Sequence, residues 1–329
     1  MKKLNIKEFS SIIGVSTATV SRAFNASGRI NEKTRRYIIE KASELGYHAN
    51  IHARNLSSPR ANIAGLFYPL LAGEQPDYFI NEIQQGVQSA LMDSGILLQV
   101  HPFPARADAE LTLETYRTYV LSGGLGAMII VAGSAESVEL VKVAREAEVP
   151  YVVIGHMSGE TKFTVSFDNG QGARLAGKFF VRTGRRFPAY IGGHLDKRKK
   201  LGFQEGLGEI SDKLTIHSGG DAFIHGANAF RELRANRPET DCVLCANDVL
   251  AAGFIKAALE SGATIPEDIA VIGFDDLSFA RYLTPALSSV SLKLNHIGLS
   301  AARQILKLLD GNDITPEFVE CQLIFRDSA

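Results

Sequence analysis

Gly14-Val15-Ser16-Thr17-Ala18-Thr19-Val20-Ser21-Arg22-Ala23-Phe24-Asn25 is the stretch on which the fold of this chain turns. Gly14 supplies the free backbone of a helix end. It stops the helical spacing of Ile6, Phe9 and Ile13 that precedes it. Ser16 is a good N-cap for a second helix. That helix, 17–25, puts Val20 and Phe24 on one face and leaves Thr17, Ala18, Ser21, Arg22 and Asn25 facing outward. Two short helices joined by a glycine turn make a helix-turn-helix. A third helix starts at the cap Asn31, places Ile38, Ile39, Ala42 and Leu45 inward, and stops at Gly46. Three such helices can enclose one small core.

The outward face of the second helix is short, polar and free of acid, as a DNA major groove requires. Arg22 can bridge guanine O6 and N7 with two hydrogen bonds, worth about 1–3 kcal/mol of discrimination. Ser16, Thr19 and Ser21 are of the type that holds phosphate oxygens and sets register. A plain solvated helix face is the competing reading, and the glycine turn, the cap and the positive charge together weigh against it. The 329 residues carry 35 basic and 36 acidic side chains, a net of −1 that alone argues against a nucleic-acid partner. Residues 1–60, however, hold 11 basic and 4 acidic side chains, so the head is +7 and the remainder −8. A basic head on an acidic body is the outline of a nucleic-acid module fused to something else.

Length predicts two or three domains. No apolar run approaches the 18 or so residues of a membrane span. The start, Met1-Lys2-Lys3-Leu4-Asn5-Ile6-Lys7-Glu8, has no apolar region behind its charges, so no secretory signal is read. Cys242, Cys245 and Cys321 are too few for a disulfide framework, and a reducing cytoplasm is the expected location.

The quoted stretch resembles the recognition motif of the lac-repressor-type (LacI/GalR) regulators. Thr34-Arg35, Glu44-Leu45-Gly46-Tyr47 and the hinge-like Asn50-Ile51-His52-Ala53-Arg54-Asn55-Leu56 extend the match, and the resemblance covers nearly the whole chain. It implies that Thr17 and Ala18 hold the variable base-reading positions and Arg22 the constant one. Ala18 offers only an apolar contact, for example to a thymine methyl. Asn50, Ala53 and Leu56 recur at helical spacing before Ser57-Ser58-Pro59. A helix that short is marginal alone. The resemblance implies that two hinges, with Asn50, Ala53, Arg54 and Leu56, pair in the minor groove and that Leu56 wedges between base steps.

In 61–329, β-like runs alternate with helical stretches, which implies parallel sheets covered on both faces. The strands read are 63–69, 96–103, 127–131, 151–154, 164–167, 189–191, 214–218, 242–245, 270–274, 288–292 and 319–325. Eleven are too many for one comfortable sheet. The expected organisation is a helix-turn-helix head at 1–47, a hinge at 48–60 and an α/β body at 61–329. The body divides into an N-subdomain of about 61–160 and 291–320 and a C-subdomain of about 161–290 and 321–329. The family shares this architecture with periplasmic sugar-binding proteins, so a ligand belongs in the crevice at the carboxyl ends of the strands.

Cys245-Ala246-Asn247-Asp248 and Gly273-Phe274-Asp275-Asp276 each end a strand and look like the family's effector motifs, which points to Asn247 and Asp275. Asp248 and Asp276 read instead as helix caps. Phe223 is a candidate wall for a sugar ring, with a core role equally open, and Tyr78 and Phe79 are candidates from the first subdomain. Two departures bear on the effector. Lys199 stands where the family has an arginine three residues before Gly202-Phe203, and Gly155-His156 stands where it often has Asp-Arg. A point charge replaces a planar fork, and a carboxylate is missing. With Lys197, Arg198 and Lys200 nearby, an anionic sugar derivative and a neutral sugar both stay open.

Cys242 and Cys245 sit in a strand, where side chains three apart face opposite ways, so both read as core thiols. No metal-ligand spacing, phosphate loop or nucleophile elbow stands out, and no metal, cofactor or catalytic residue is expected. The expectation is a cytoplasmic transcription regulator, a repressor, binding double-stranded operator DNA as a homodimer under control of a small-molecule effector, with no membrane partner. The competing reading is a sugar-binding receptor or enzyme on the same two-lobed fold.

Overall fold

Glu8 reaches back to its own helix start. Its Oε2 accepts from the Asn5 amide at 2.9 Å while Asn5 Oδ1 accepts from the Lys7 and Glu8 amides at 3.0 Å, a capping box that opens α1 (Ile6–Ile13). The computed structural model describes residues 4–24, 30–47, 62–70, 78–104, 109–193, 197–220 and 222–329. Asn25 and the hinge positions Asn50, Ala53, Arg54 and Leu56 lie outside the described residues. Gly14 ends α1 at φ +69°, a conformation that favours glycine. The Ser16 Oγ accepts from the Thr19 amide at 3.1 Å and so caps α2 (Thr17–Phe24). Asn31 caps α3 (Glu32–Leu45), which Gly46 closes at φ +62°.

Phe9, Ile13, Val20, Ala23, Ile38, Ala42 and Tyr47 form the head's core. Tyr47 lies flat on Phe9, ring centroids 4.1 Å apart and 3° from parallel. Burying a ring such as Phe9 contributes about 1.5–3 kcal/mol. In so small a core the loss of one such residue is decisive. Ile39 and Leu45, expected inside, are 43% and 37% exposed. Ile38 and Ala42 already fill the inner stripe of α3, Ile39 is turned about 100° from it, and Tyr47 beyond the cap takes the remaining place. Ile6 is likewise 37% exposed, leaving Phe9 and Ile13 to carry the α1 side.

The body has two six-stranded sheets among the described residues. The first has the order β11-β5-β4-β3-β1-β2. Its strands are β1 (Ile63–Leu70), β2 (Leu97–Pro104), β3 (Ala127–Val131), β4 (Tyr151–Ile154), β5 (Thr164–Ser166) and β11 (Glu317–Phe318), all parallel. The second, ordered β12-β10-β9-β8-β6-β7, contains β6 (Pro188–Gly192), β7 (Thr215–Ser218), β8 (Cys242–Cys245), β9 (Ala270–Asp275), β10 (Ser288–Ser291) and β12 (Gln322–Ile324). Only β12 runs antiparallel. The connecting helices are α4 (Tyr78–Leu91), α5 (Ala109–Leu121), α6 (Ala135–Glu146), α7 (Asn169–Arg182), α8 (Lys197–Leu207), α9 (Phe223–Asn236), α10 (Asp248–Glu260) and α11 (Leu294–Leu309).

Two expectations need correction here. The apolar run 319–325 is strand only over β12: β11 ends just before it in the other sheet, and Val319–Cys321 is where the chain crosses between the lobes. The crossing reads as strand because Val319 and Cys321 are themselves buried. Cys321 is tied to the other crossing, its amide donating to Gln171 Oε1 at 3.4 Å and its Sγ to the Asp168 carbonyl at 3.3 Å. In addition, β5 pairs with β4 in the first sheet, so the first crossing follows Ser166 and not residue 160. Sequence shows a strand there but not its neighbour.

Candidate functional site

On the head, Ser16, Thr17, Ala18 and Arg22 are exposed, and Thr19 and Ser21 partly so. Val20 and Ala23 hold α2 from behind, and Arg35 Nη1 donates to the Ala23 carbonyl at 3.1 Å, satisfying the helix's last turn. The Ser16 and Thr19 hydroxyls lie 2.8 Å apart. Each keeps further hydrogen-bonding capacity toward a phosphate oxygen. With no acid in its sequence, α2 offers its N-terminus and Arg22 to a polyanion.

In the body, parallel strands deliver their carboxyl ends to one side. Asp275 ends β9 there, buried at 7% exposure and held at φ +99°. Lys199, from α8, lies with its Nζ 3.9 Å from the Asp275 carboxylate. The same Nζ donates to the Ala246 carbonyl at 2.6 Å and sits 4.1 Å from the Phe274 ring centroid. Its side chain is only 12% exposed, whereas Lys197 and Arg198 are exposed. The basic run is thus divided: Lys199 is bound into the strand ends, Lys197 and Arg198 face water, and Lys200 is half-buried.

Asn247 is the cap of α10, its Oδ1 accepting from the Leu250 amide at 2.7 Å. Asp248, read from sequence as a cap, lies inside the first turn and is fully buried. Its Oδ2 accepts from the Leu277 amide and its Oδ1 from the Ser289 hydroxyl, both at 2.6 Å. Burial, with Asp275 adding to it, pushes the Asp248 carboxyl well above the usual carboxylate range. A Cβ on Gly273 would stand 2.1 Å from Asp248 Oδ1, so this glycine is what makes room for the carboxylate. Asp276 is no cap either: it pairs with Arg326 at 2.6 Å, and Arg326 also donates to the Leu287 carbonyl. Aspartates within three residues of a strand end look alike in sequence; which becomes a cap depends on partners about 30 to 50 residues away.

From the first lobe, Tyr78 opens α4, 38% exposed, its ring edge-on to Phe279 with centroids 5.3 Å apart. Phe79, its neighbour, packs against the hydrophobic core. Consecutive helix residues point about 100° apart, so Tyr78 is turned toward Phe279 while Phe79 is turned toward the core. His156 is exposed, just past Gly155 at the end of β4. Phe223 is the first residue of α9 and is partly buried. Sequence reading missed Glu82, Ser289 and Arg326, polar residues with no motif around them.

Residues 5–50 match the family model for bacterial regulatory proteins, lacI family, and residues 179–329 match that for a periplasmic binding protein-like domain. The probable HTH-type transcriptional repressor ExuR of Bacillus subtilis is 27% identical over 336 aligned positions, covering 99% of this chain and 98% of that protein. The HTH-type transcriptional regulator GntR of Pseudomonas aeruginosa is 29% identical, covering 96% and 92%. Among solved structures, a transcriptional regulator CelR–cellobiose complex is 25% identical with a TM-score of 0.69, covering 99% of this chain and all of that one. A lac repressor dimer bound to operator and an anti-inducer superposes with a TM-score of 0.79 at 21% identity, covering 99% of each. Among the described residues no helix is long and apolar enough to cross a membrane.

Proposed function

Because the chain belongs to the lacI family of bacterial regulatory proteins, we propose that it is a transcription regulator, a repressor, whose hold on operator DNA is set by a small-molecule effector bound between the two lobes of its body. The acid-free, exposed face of α2 on a head of net positive charge carries this reading. Its relatives, matched across head and body alike, are named as regulators, which favours this over a receptor or an enzyme on the same two-lobed fold.

On DNA, two heads of a homodimer read successive major grooves of a near-palindromic operator. Arg22 recognises guanine, Thr17 and Ala18 read variable bases, and Ser16, Thr19 and Ser21 hold phosphates. Asn25 and the hinge residues Asn50, Ala53, Arg54 and Leu56 complete the contact. In the body, Asp275 accepts from effector hydroxyls, with Asn247, Lys199 and Phe223 beside it and Tyr78 and His156 opposite. The Lys199 charge is engaged by Asp275 and the Ala246 carbonyl, which supports a sugar or sugar derivative gripped through hydroxyls. Effector and operator affinities are then coupled reciprocally, by about 1–3 kcal/mol.

The test is a gel-shift titration of the full chain on DNA upstream of its own and neighbouring genes, with neutral and phosphorylated sugars as added probes. Arg22→Ala should weaken specific binding about ten- to hundredfold, the value of one good bidentate base contact, without lowering the melting temperature. Operator binding by that variant equal to wild type refutes the placement of the recognition helix.

A further inference from the structure

Tyr78 and Glu82 stand four residues apart on α4 and so share one face of that helix. They meet two consecutive residues of the other lobe. The Ser278 amide donates to Glu82 Oε1 at 3.0 Å, and the Phe279 ring packs on Tyr78 at 64°. Each side of this contact is anchored in its own lobe. Leu277 is tied to Asp248, the Asp276 amide donates to Ser289 Oγ at 3.1 Å, and the Asp276 carboxylate pairs with Arg326. The 276–279 loop therefore moves with the second sheet. On the other side α4 is pressed onto α11 so closely that a Cβ on Gly86 would stand 1.9 Å from the Asn295 carbonyl oxygen. Separating the lobes at this edge must break both contacts together.

We propose that Tyr78 and Glu82, with Ser278 and Phe279, form a latch that holds the two lobes together without effector and sets the fraction of closed chains. The latch lies three residues beyond Asp275, on the same loop. An effector drawn to Asp275 and the latch therefore act on one element. A stronger latch raises the population competent to bind, and a weaker one lowers apparent effector affinity by the same factor.

The experiment uses the full chain with no effector or DNA, so its failure is distinct from failure of the proposed function. Spin labels are placed on cysteines introduced at Val138 on α6 and Leu259 on α10. Both sites are exposed and the three natural cysteines are buried. Labelled chains are diluted into unlabelled ones. Glu82→Ala and Tyr78→Ala should each raise the long-distance population about two- to tenfold, the span of one modest contact. Exchange of the Ser278 amide should quicken in parallel. Glu82→Gln keeps an acceptor for that amide and should stay closer to wild type than Glu82→Ala. A double variant that melts like wild type and shows an unchanged distance distribution overturns the latch.

Discussion

Asp248→Ala and Asp248→Asn should part company, because they remove different things. The carboxylate accepts two hydrogen bonds in a site with no exposure, one from the Ser289 hydroxyl and one from the Leu277 amide. Alanine leaves both donors buried without an acceptor. At about 1–3 kcal/mol for each such group, the loss is on the order of 2–6 kcal/mol. With roughly 2–4 °C per kcal/mol for a unit of this size, the second lobe should melt on the order of 10 °C lower. Asparagine can accept from the Leu277 amide and donate to Ser289 Oγ, since a hydroxyl serves either way. It also removes a charge that burial, and then Asp275, already disfavour. The folded chain holds this proton more tightly than the unfolded chain does. Wild-type stability from this group is therefore present at low pH and is lost as pH rises above the ordinary carboxylate range. Thermal melts of the three proteins between acid and neutral pH should place asparagine within about 1 kcal/mol of wild type, its relative standing improving as pH rises. An asparagine variant as unstable as alanine at every pH refutes the account.

Three further outcomes follow from the body. Gly86→Ala puts a methyl group 1.9 Å from the Asn295 carbonyl oxygen and 2.7 Å from the Leu299 amide nitrogen, so α4 and α11 must part; denaturant melts should show a loss of at least about 1–3 kcal/mol. Glu160 is buried, which acts to raise its pKa, but bonds from Tyr151, the Phe163 and Lys162 amides and Arg145 outweigh burial and hold it below the usual range. Its stabilisation is therefore present at neutral pH and lost as pH falls through the folded value, and Glu160→Gln should flatten that acid limb in melts below about pH 4. Burial pushes the Cys242 and Cys245 thiols up, and that of Cys321 to about 11. A thiol reagent followed by mass spectrometry should modify none of the three until the chain unfolds.

Buried parallel strands made the body legible, since burial on both faces writes each one as an unbroken apolar run. The runs 127–131, 151–154 and 242–245 coincide with β3, β4 and β8. The head was legible for a different reason: its caps, Asn31, Gly14 and Ser16, are local, so the information lies within a few residues. Legibility failed where a neighbour decides. Nothing near β5 tells which sheet it joins. The 319–325 run hides a crossing because buried crossings look like strands. Asp248 and Asp276 owe their roles to Leu277, Ser289 and Arg326. The contact between Glu82 and Ser278 joins residues 196 apart, and no local spacing records it.

The chain passes between the sheets after β5, after β10 and after β11, and these three crossings impose an order in time. The head needs only residues up to Tyr47 to enclose its core. The first sheet waits for Glu317–Phe318 and the second for Gln322–Ile324, the last strands of the chain. At ~5–20 residues per second, the nascent chain carries a foldable head for roughly a quarter of a minute to a minute before either lobe can close. During every round of synthesis the part that reads DNA is complete before the part that governs it, and the two lobes of that part are completed within a few residues of each other.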